Sequence, residues 1–306
     1  MRIGLTGGGT TADRIVSQAS RAEADGFTSM WYPSSAGAGD PLSVMTLAGR
    51  ATSTIELGTA VLVSYTCHPV LQASRASATA AAIGAPGRFT LGVGPSHRFI
   101  IEDRLGLSYD TPGQHTDEYV QILTGLLRGQ PVSFAGSQFR VDAGPLPLPD
   151  GAAIPVLIGA LGSRLLRVAG RYTAGTIVWM ANATAIGAHV APVIRKAAAD
   201  AGRPAPRIVA GVPVAVHDDV AEARSAAARL YQAYGELPNY QRILARGGIA
   251  GPGDAVLVGD EDSVAAQVLA LFEAGATDLW AAPFPVGDDA AASRARTRAL
   301  LASLAR

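Results

Sequence analysis

The sequence predicts a single α/β domain, a (β/α)8 barrel of parallel strands. Strand-like and helix-like segments alternate eight times along the 306 residues, which is the pattern of parallel α/β proteins. The clearest unit covers residues 55–94, where two short apolar segments, IELGTAVLV and GRFTLGVG, flank an alanine-rich segment about as long as one helix. A chain of this length suits one barrel with modest insertions better than two domains. We therefore expect residues 1–306 to form one domain.

The first half of the chain contains four predicted barrel strands and an insertion. The strands are predicted at 2–6, 27–32, 55–63 and 88–93, and helices at about 10–26, 40–52 and 68–83. A polar loop over 95–111 follows the fourth strand, and Thr111 and Pro112 then begin a helix that extends to residue 127. Residues 129–151 are rich in Gly and Pro and contain VSFAGSQFRV, which predicts a hairpin. The segments 95–111 and 129–151 thus form the insertion between strands four and five.

The second half completes the barrel. Strands are predicted at 154–158, 173–179, 207–216 and 277–282, and helices at 163–170, 183–201, 219–234 and 262–274, with a closing helix after the last strand. Residues 235–253 are irregular and contain Pro238, Tyr240 and the Gly247-Gly248 pair. Two interpretations fit this segment: a mobile lid over a ligand site, or a structural connection.

Composition narrows the classes of partner. With 25 basic and 25 acidic residues, the chain has no net charge that would attract nucleic acid or an anionic membrane surface. Its apolar segments are interrupted before they reach the roughly 20 residues of a membrane helix. Cys67 is the only cysteine, and the chain does not begin with the pattern of a secretory signal. The histidines show no metal-ligand spacing. We expect a cytoplasmic protein with no metal, nucleic-acid partner or membrane partner.

Small residues end several of the predicted strands. Gly58-Thr59-Ala60 and Gly92-Val93-Gly94 leave the backbone bare at the carboxyl ends of parallel strands, where such folds bind ligands. A third segment, Gly159-Ala160-Leu161-Gly162-Ser163, lies between a strand and a helix, where backbone N–H groups can bind a phosphate. The same pattern is typical of an ordinary strand-to-helix turn. The three segments together favour a large, flat ligand lying against backbone.

The chain resembles the luciferase-like monooxygenase family, and within it the coenzyme F420-dependent oxidoreductase branch. The resemblance covers nearly the whole chain and rests on six motifs in order: AEADGFTSMWYPS, IELGTAV, GRFTLGVG, DEYVQILTGLLRGQPVSFAG, IPVLIGALGSRLLRVAG and GDEDSVAAQVLALFEAGATDL. It implies a barrel with an insertion after the fourth strand, a homodimer, and a non-covalent cofactor at the carboxyl ends of the strands. The implied cofactor is the deazaflavin F420, with flavin mononucleotide (FMN) as the alternative.

The resemblance also implies which residues contact the cofactor. Relatives often have a non-proline cis peptide in the third strand, and the matching bond here is Ala60–Val61. The phosphate site of the family matches the segment from Gly159 to Ser163. The full set of expected cofactor-binding residues is Thr59, Ala60, Val61, Gly94, Pro95, Ser96, Gly159, Ala160, Leu161, Gly162, Ser163 and Trp179.

Two positions are candidates for catalysis. His97 follows Gly94-Pro95-Ser96, and a sugar-phosphate dehydrogenase branch of the family has an acidic acid/base residue there. An imidazole with a pKa near 6.5 can move a proton during hydride transfer, although a loop histidine can also be merely exposed. At the position where that branch has a catalytic histidine, the only polar side chains in this chain are hydroxyls, and Ser34 is the candidate among them. Asn182 stands near the position of a phosphate-binding lysine.

These departures argue against a sugar-phosphate substrate and favour a less polar organic acceptor. Candidate pocket walls are Tyr32, Trp179, Tyr234 and Tyr240, although aromatic side chains are more often simply core. The predicted function is hydride transfer between C5 of F420 and an activated C=C, C=N or C=O bond. The alternatives are an FMN-dependent monooxygenase that uses a partner reductase, and a non-catalytic F420-binding protein.

Overall fold

Eight parallel strands close into a barrel in the computed structural model, which describes residues 1–34, 39–84 and 87–306. In barrel order, the strands are β1 (Ile3–Thr6), β2 (Ser29–Tyr32), β3 (Glu56–Thr59), β5 (Phe89–Gly94), β8 (Val156–Gly159), β9 (Gly175–Trp179), β10 (Arg207–Val216) and β12 (Asp278–Pro283). The last strand pairs with the first, and every pair in the barrel is parallel. The predicted (β/α)8 barrel is confirmed.

Four further short strands in the described residues lie outside this ring. β4 (Leu62–Val63) continues β3 after an interruption and pairs with β5. β6 (Val132–Ala135) and β7 (Arg140–Ala143) form the antiparallel hairpin predicted in the insertion. β11 (Leu257–Gly259) pairs with the end of β10.

Twelve α-helices surround the strands in the described part of the chain. They are α1 (Ala12–Ala24), α2 (Pro41–Arg50), α3 (Pro69–Ile83), α4 (Pro112–Leu126), α5 (Ser163–Tyr172), α6 (Ala183–Ala185), α7 (Ala191–Asp200), α8 (Val220–Leu230), α9 (Gln232–Gly235), α10 (Pro238–Arg246), α11 (Glu261–Glu273) and α12 (Ala290–Ala305). Aspartate side chains cap four of them by accepting a backbone N–H in the first turn, at Asp40, Asp219, Asp260 and Asp289. In these ranges, no helix combines the length and the hydropathy that crossing a bilayer requires.

Large apolar side chains fill the barrel interior. They form one cluster, consisting of Trp31, Ala60, Leu157, Ile177, Val209 and Trp280. A second, larger core lies between the strands and the helices. The interior is therefore packed, and in a barrel of this kind a ligand is expected to bind at the carboxyl ends of the strands.

An ion-pair cluster closes the amino-terminal end. Arg207, the first residue of β10, contacts Glu56 at 2.8 Å and Asp278 at 2.6 Å. These two carboxylates begin β3 and β12, and Arg2 also pairs with both. Because the charges are paired, this end of the barrel can be buried without an unsatisfied ion.

The structure corrects three predicted elements. The helix predicted over 183–201 contains a π-helix at Ile186–Val190. This π-helix ends two residues before Pro192, which lacks the N–H that a continuous helix needs. The helix predicted over 219–234 ends at Leu230 and resumes as α9. The segment 235–253, predicted to be irregular, contains α10, which has Pro238 in its first turn.

Candidate active site

The carboxyl ends of the barrel strands form the mouth of the barrel, and the third strand is distorted there. Gly58 pairs with Thr90 and Leu62 pairs with Val93, so that Thr59, Ala60 and Val61 stand opposite only Leu91 and Gly92. This is a β-bulge of one extra residue. The Ala60–Val61 peptide within it is cis, as the resemblance implies.

The side chain of Thr59 satisfies the backbone that the bulge leaves unpaired. Its hydroxyl accepts a hydrogen bond from the Gly92 N–H at 2.8 Å and donates one to the Gly92 carbonyl at 2.7 Å. A Cβ on Gly92 would lie 2.0 Å from the Thr59 carbonyl oxygen, so only glycine fits opposite the bulge. Thr59 is fully buried and therefore supports the bulge from beneath.

Val61 is directed by the bulge over the ends of the next two barrel strands. A Cβ on Gly94 would lie 2.8 Å from Val61 Cγ2, and a Cβ on Gly159 would lie 3.2 Å from the same atom. Both glycines therefore present bare backbone beside the valine. The backbone of Gly94 and Gly159, at the ends of β5 and β8, carries no side chain of its own and has Val61 packed against it; we call it the glycine strip.

The strip leads to the amino terminus of α5. Gly162 precedes the helix without a capping side chain, and a Cβ built on it would meet no atom within 4 Å. The loop is held from behind, since the buried His189 donates from Nε2 to the Leu161 carbonyl at 2.9 Å. In the described residues, the N–H groups of Ser163 and Arg164 have no acceptor. A helix amino terminus with free N–H groups is suited to bind a phosphate.

His97 lies in the loop that follows β5. Its ring is parallel to that of Phe99 at 6.1 Å and lies 5.8 Å from that of Tyr240 on α10. Burial lowers the pKa of His97 below its ordinary value, so the ring is neutral at neutral pH. Ser96, immediately before it, has φ of 63°, which is uncommon for a residue with a side chain.

Aromatic rings continue from His97 across the mouth. The Tyr240 and Tyr234 rings are 4.7 Å apart, Tyr234 lies 6.2 Å from Trp179, and Trp179 lies 4.8 Å from Trp280. We call this row the aromatic wall: Phe99, His97, Tyr240, Tyr234, Trp179 and Trp280. The indole N–H of Trp179 is buried and has no acceptor within the described ranges. The wall joins the loop after β5 to the segment between β10 and β12, so residues 235–253 contribute to the mouth.

The structure places the other predicted residues as follows. Ser34 is exposed and makes no hydrogen bond to any described residue, and Ser35 lies outside the described residues. Asn182 caps α6 by accepting from the Ala185 N–H, and it donates to the Gly247 carbonyl at 2.9 Å. This asparagine therefore connects the segment 235–253 to the start of α6.

Three supporting residues were not found from the sequence. His189 holds the loop before α5, Tyr109 donates to the Ser96 carbonyl at 2.7 Å, and Met180 follows Trp179 with φ of 59°. His189 and Tyr109 contact backbone that is distant in sequence, and Met180 has an unusual backbone conformation of its own. No local sequence pattern indicates either kind of feature. Among the described residues, no group of three His, Cys, Asp or Glu side chains is arranged to hold a metal ion.

Two curated relatives are similar to parts of the chain. It is 28% identical over 165 residues to the 5,10-methylenetetrahydromethanopterin reductase of Methanolobus tindarius, covering 54% of this chain and 49% of the relative. It is 33% identical over 185 residues to the F420-dependent hydroxymycolic acid dehydrogenase of Mycobacterium tuberculosis, covering 56% of this chain and 49% of the relative. The chain thus spans about half the length of these relatives.

Solved structures share the fold over almost the full chain. The coenzyme F420 dependent tetrahydromethanopterin reductase of Methanopyrus kandleri superposes with a TM-score of 0.81 at 22% identity, covering 98% of this chain and 97% of that one. The oxygenating constituent of 3,6-diketocamphane monooxygenase of Pseudomonas putida, in complex with FMN, has a TM-score of 0.74 at 19% identity, covering 99% and 97%. At these identities, the likeness shows the fold alone.

A family model decides the membership of the chain. The model described as luciferase-like monooxygenase matches residues 2–278 of the 306. This match includes the bulge, the glycine strip, the α5 loop and every residue of the aromatic wall except Trp280. The chain belongs to the luciferase-like monooxygenase family.

Proposed function

We propose that the chain is an F420-dependent oxidoreductase that transfers a hydride between C5 of the deazaflavin and an activated C=C, C=N or C=O bond of a small organic substrate. F420 dependence is part of the description of both the mycobacterial dehydrogenase and the Methanopyrus reductase. The observation that carries the proposal is the strip of bare backbone at Gly94 and Gly159, which ends at the uncapped amino terminus of α5.

The residues present fit such a cofactor. A planar ring system needs a surface without large side chains, and the two glycines with Val61 packed against them provide backbone and one small apolar side chain. A phosphate needs several N–H donors in one place, which the loop at Gly162 and Ser163 supplies. The strip lies on β5 and β8, which β3 and β9 flank in the barrel. The buried Ala60 follows β3, and Trp179 ends β9.

When bound, the cofactor supplies the hydride chemistry, and the protein has to position the substrate and move a proton. The neutral ring of His97 is suited to accept the hydroxyl proton of a substrate that is being oxidised. In the opposite direction, its protonated form returns that proton. Burial also raises the pKa of Tyr240 and Tyr234, so both phenols stay protonated and act as hydrogen-bond donors in the mouth.

The aromatic wall supports an acceptor of low polarity. Its side chains exclude water from one side of the mouth, and none of them carries a charge at neutral pH. Ser34 stays a candidate for hydrogen bonding to the substrate from the loop after β2. A sugar phosphate would need a cation to bind it, and Asn182, near the position of the family lysine, is occupied by hydrogen bonds to Ala185 and Gly247.

We also propose a homodimer that is formed through α2 and α3. Leu71 on α3 is 61% exposed and Leu47 on the adjacent α2 is 41% exposed, although both are large and apolar. Light scattering coupled to gel filtration distinguishes a dimer from a monomer, and charged substitutions at both leucines should dissociate the dimer.

Cofactor titration tests the proposed function. Fluorescence quenching and calorimetry measure the binding of F420 and of FMN. We expect micromolar affinity for F420 and much weaker binding of FMN. A preference for FMN would contradict the proposal and favour an oxygen-activating monooxygenase. Binding of F420 without turnover of any unsaturated or alcohol substrate would instead indicate a non-catalytic binding protein.

A further inference from the structure

The loop that bears His97 has an unfavourable backbone conformation that other residues hold in place. Ser96 lies in the left-handed region, with φ of 63°, where a Cβ makes the backbone conformation costly. Its carbonyl oxygen accepts a hydrogen bond of 2.7 Å from the hydroxyl of Tyr109, which is 13 residues further along the chain. The side chain of Tyr109 therefore contacts the backbone just before His97.

Tyr109 is itself tied to the segment between it and His97. Its N–H donates to Glu102 Oε1 at 3.3 Å, and its carbonyl accepts from Arg98 Nη2 at 3.3 Å. Arg98 and Glu102 form an ion pair across one turn of the π-helix Phe99–Arg104. The loop therefore closes on itself, and the Tyr109 hydroxyl is the group that reaches back to Ser96.

The ring of Tyr109 rests on the barrel scaffold. It lies 5.5 Å from the ring of Tyr65, which is stacked on His115 at 3.8 Å. His115 is buried in α4 and its Nε2 lies 3.1 Å from Ser64 Oγ, at the end of β4. Because burial lowers the pKa of His115 to about 4, this stack stays uncharged at neutral pH. The position of Tyr109 is thus set by residues that precede and follow the loop.

We propose that Tyr109 is a positioning residue for His97: its hydroxyl holds Ser96 in the left-handed conformation, and this keeps the His97 ring between Phe99 and Tyr240. Tyr109 acts through Ser96 and has no role in proton transfer itself. We call the hydrogen bond from Tyr109 to the Ser96 carbonyl the clamp, and it exists in the protein without cofactor. The inference rests on the proposed function only for the role of His97.

Tyr109→Phe is the first test, since it keeps the ring and removes only the hydroxyl. In the cofactor-free protein, NMR titration of the His97 ring should show its pKa moving up toward the ordinary value as the loop relaxes and the ring gains solvent. Loss of one neutral hydrogen bond changes the ratio of two loop states by roughly fivefold. F420 affinity should fall by up to that factor, because the Gly94-Pro95-Ser96 backbone, which is expected to bind the cofactor, moves with the loop. Tyr65→Phe is the matched control, because the Tyr65 hydroxyl makes no hydrogen bond to the loop in the described structure, and it should leave the His97 signal unchanged.

Ser96→Gly provides the decisive comparison. Glycine adopts positive φ at little cost, so a clamp is no longer needed, and adding Tyr109→Phe to Ser96→Gly should change F420 affinity by less than about twofold. Equal losses in both backgrounds, or an unchanged His97 titration in Tyr109→Phe, would contradict the proposal. Failure of the wild-type protein to bind F420 would contradict the proposed function, while the titration would still decide whether the clamp exists.

Discussion

Val61 lies directly against the backbone of Gly94, so that a Cβ on Gly94 would be 2.8 Å from Val61 Cγ2. This contact couples the bulge after β3 to the end of β5, and it exists because both β5 and β8 end in glycine. The site at the mouth therefore depends on the absence of a side chain at Gly94 and at Gly159.

Gly94→Ala tests this contact. The added methyl group collides with a short, branched side chain that cannot turn away freely, so we expect a loss of about 1–3 kcal/mol in the free energy of unfolding. F420 affinity should also fall, because the bare strip is lost. Urea unfolding and cofactor titration measure the two effects.

The double variant Gly94→Ala with Val61→Ala should recover most of the lost stability, because it removes the colliding methyl groups. Gly144→Ala is the matched control, since a Cβ there meets nothing within 4 Å. Full tolerance of Gly94→Ala alone would mean that the two strands are not tightly coupled.

The charge at the amino terminus of α5 can be tested with a matched pair of variants. A side chain at Gly162 has free space, and Asp and Asn are equally good capping residues, so both should fold at least as stably as the wild type. Gly162→Asp places a negative charge where a phosphate should bind and should weaken F420 binding by at least about tenfold, whereas Gly162→Asn should weaken it much less.

Calorimetric titration with F420, together with thermal unfolding, separates the two variants. Equal affinities of the Asp and Asn variants would place the phosphate elsewhere. The effect should diminish as salt is raised, because the interaction is between charges near the surface.

His97→Ala should reduce kcat by about 10²- to 10⁴-fold if its ring moves the proton. Affinity for F420 should change by less than about threefold, because the cofactor is held mainly by backbone. In the direction of substrate oxidation, the neutral ring is the active form. The wild-type rate should therefore rise with pH through the lowered pKa of His97, below 6.5, and stay level above it.

The variant should lose this dependence on pH, and stopped-flow absorbance of the deazaflavin measures it. A pH profile that is unchanged in His97→Ala would assign the proton to another group.

Stability should fall in mild acid because of His115. Burial lowers the pKa of this histidine to about 4, so the folded state resists protonation that the unfolded chain accepts below about 6.5. Stability is highest above pH 6.5, and roughly 2 kcal/mol should be lost between pH 6.5 and 4.5. Glu23 and Glu118, whose pKa values are lowered to about 2, contribute losses only below about pH 4.5.

His115→Phe should reduce the pH dependence between 6.5 and 4.5, since phenylalanine keeps a ring on Tyr65 but cannot be protonated. The part due to His97, whose pKa is also lowered by burial, should remain. Urea unfolding at several pH values checks this. An unchanged slope would assign the loss to other groups.

The barrel strands could be predicted because their burial leaves a local signature. Parallel strands covered on both faces are short apolar runs, and the run at 207–216 coincides with β10. The helices were less well predicted. Residues 238–246 form α10, which buries Tyr240, Ile243 and Leu244. Their i, i+3, i+4 spacing and Pro238 in the first turn are a local helix signal, which the prediction of an irregular segment overlooked.

The candidate site was predicted in part. Glycines at 94 and 159 and the Ala60–Val61 peptide were identified because small residues at strand ends, and the family motifs, are visible in the sequence. Asn182 was judged only by the lysine it replaces, whereas the structure uses it to join α6 to Gly247. His115 was considered in the sequence only for metal-ligand spacing, whereas the structure buries it in α4.

The sequence by itself determined the class of fold, the order of the strands and the bare backbone at their carboxyl ends, because burial and backbone freedom depend on residue type and spacing. Only the tertiary structure decided that Tyr109 clamps Ser96, that His189 holds the α5 loop, and that Tyr240 faces His97. The physical reason is distance along the chain. A hydrogen bond between a side chain and a remote carbonyl places no constraint on the residues in between, so it exists only once the barrel has brought its loops together at one end.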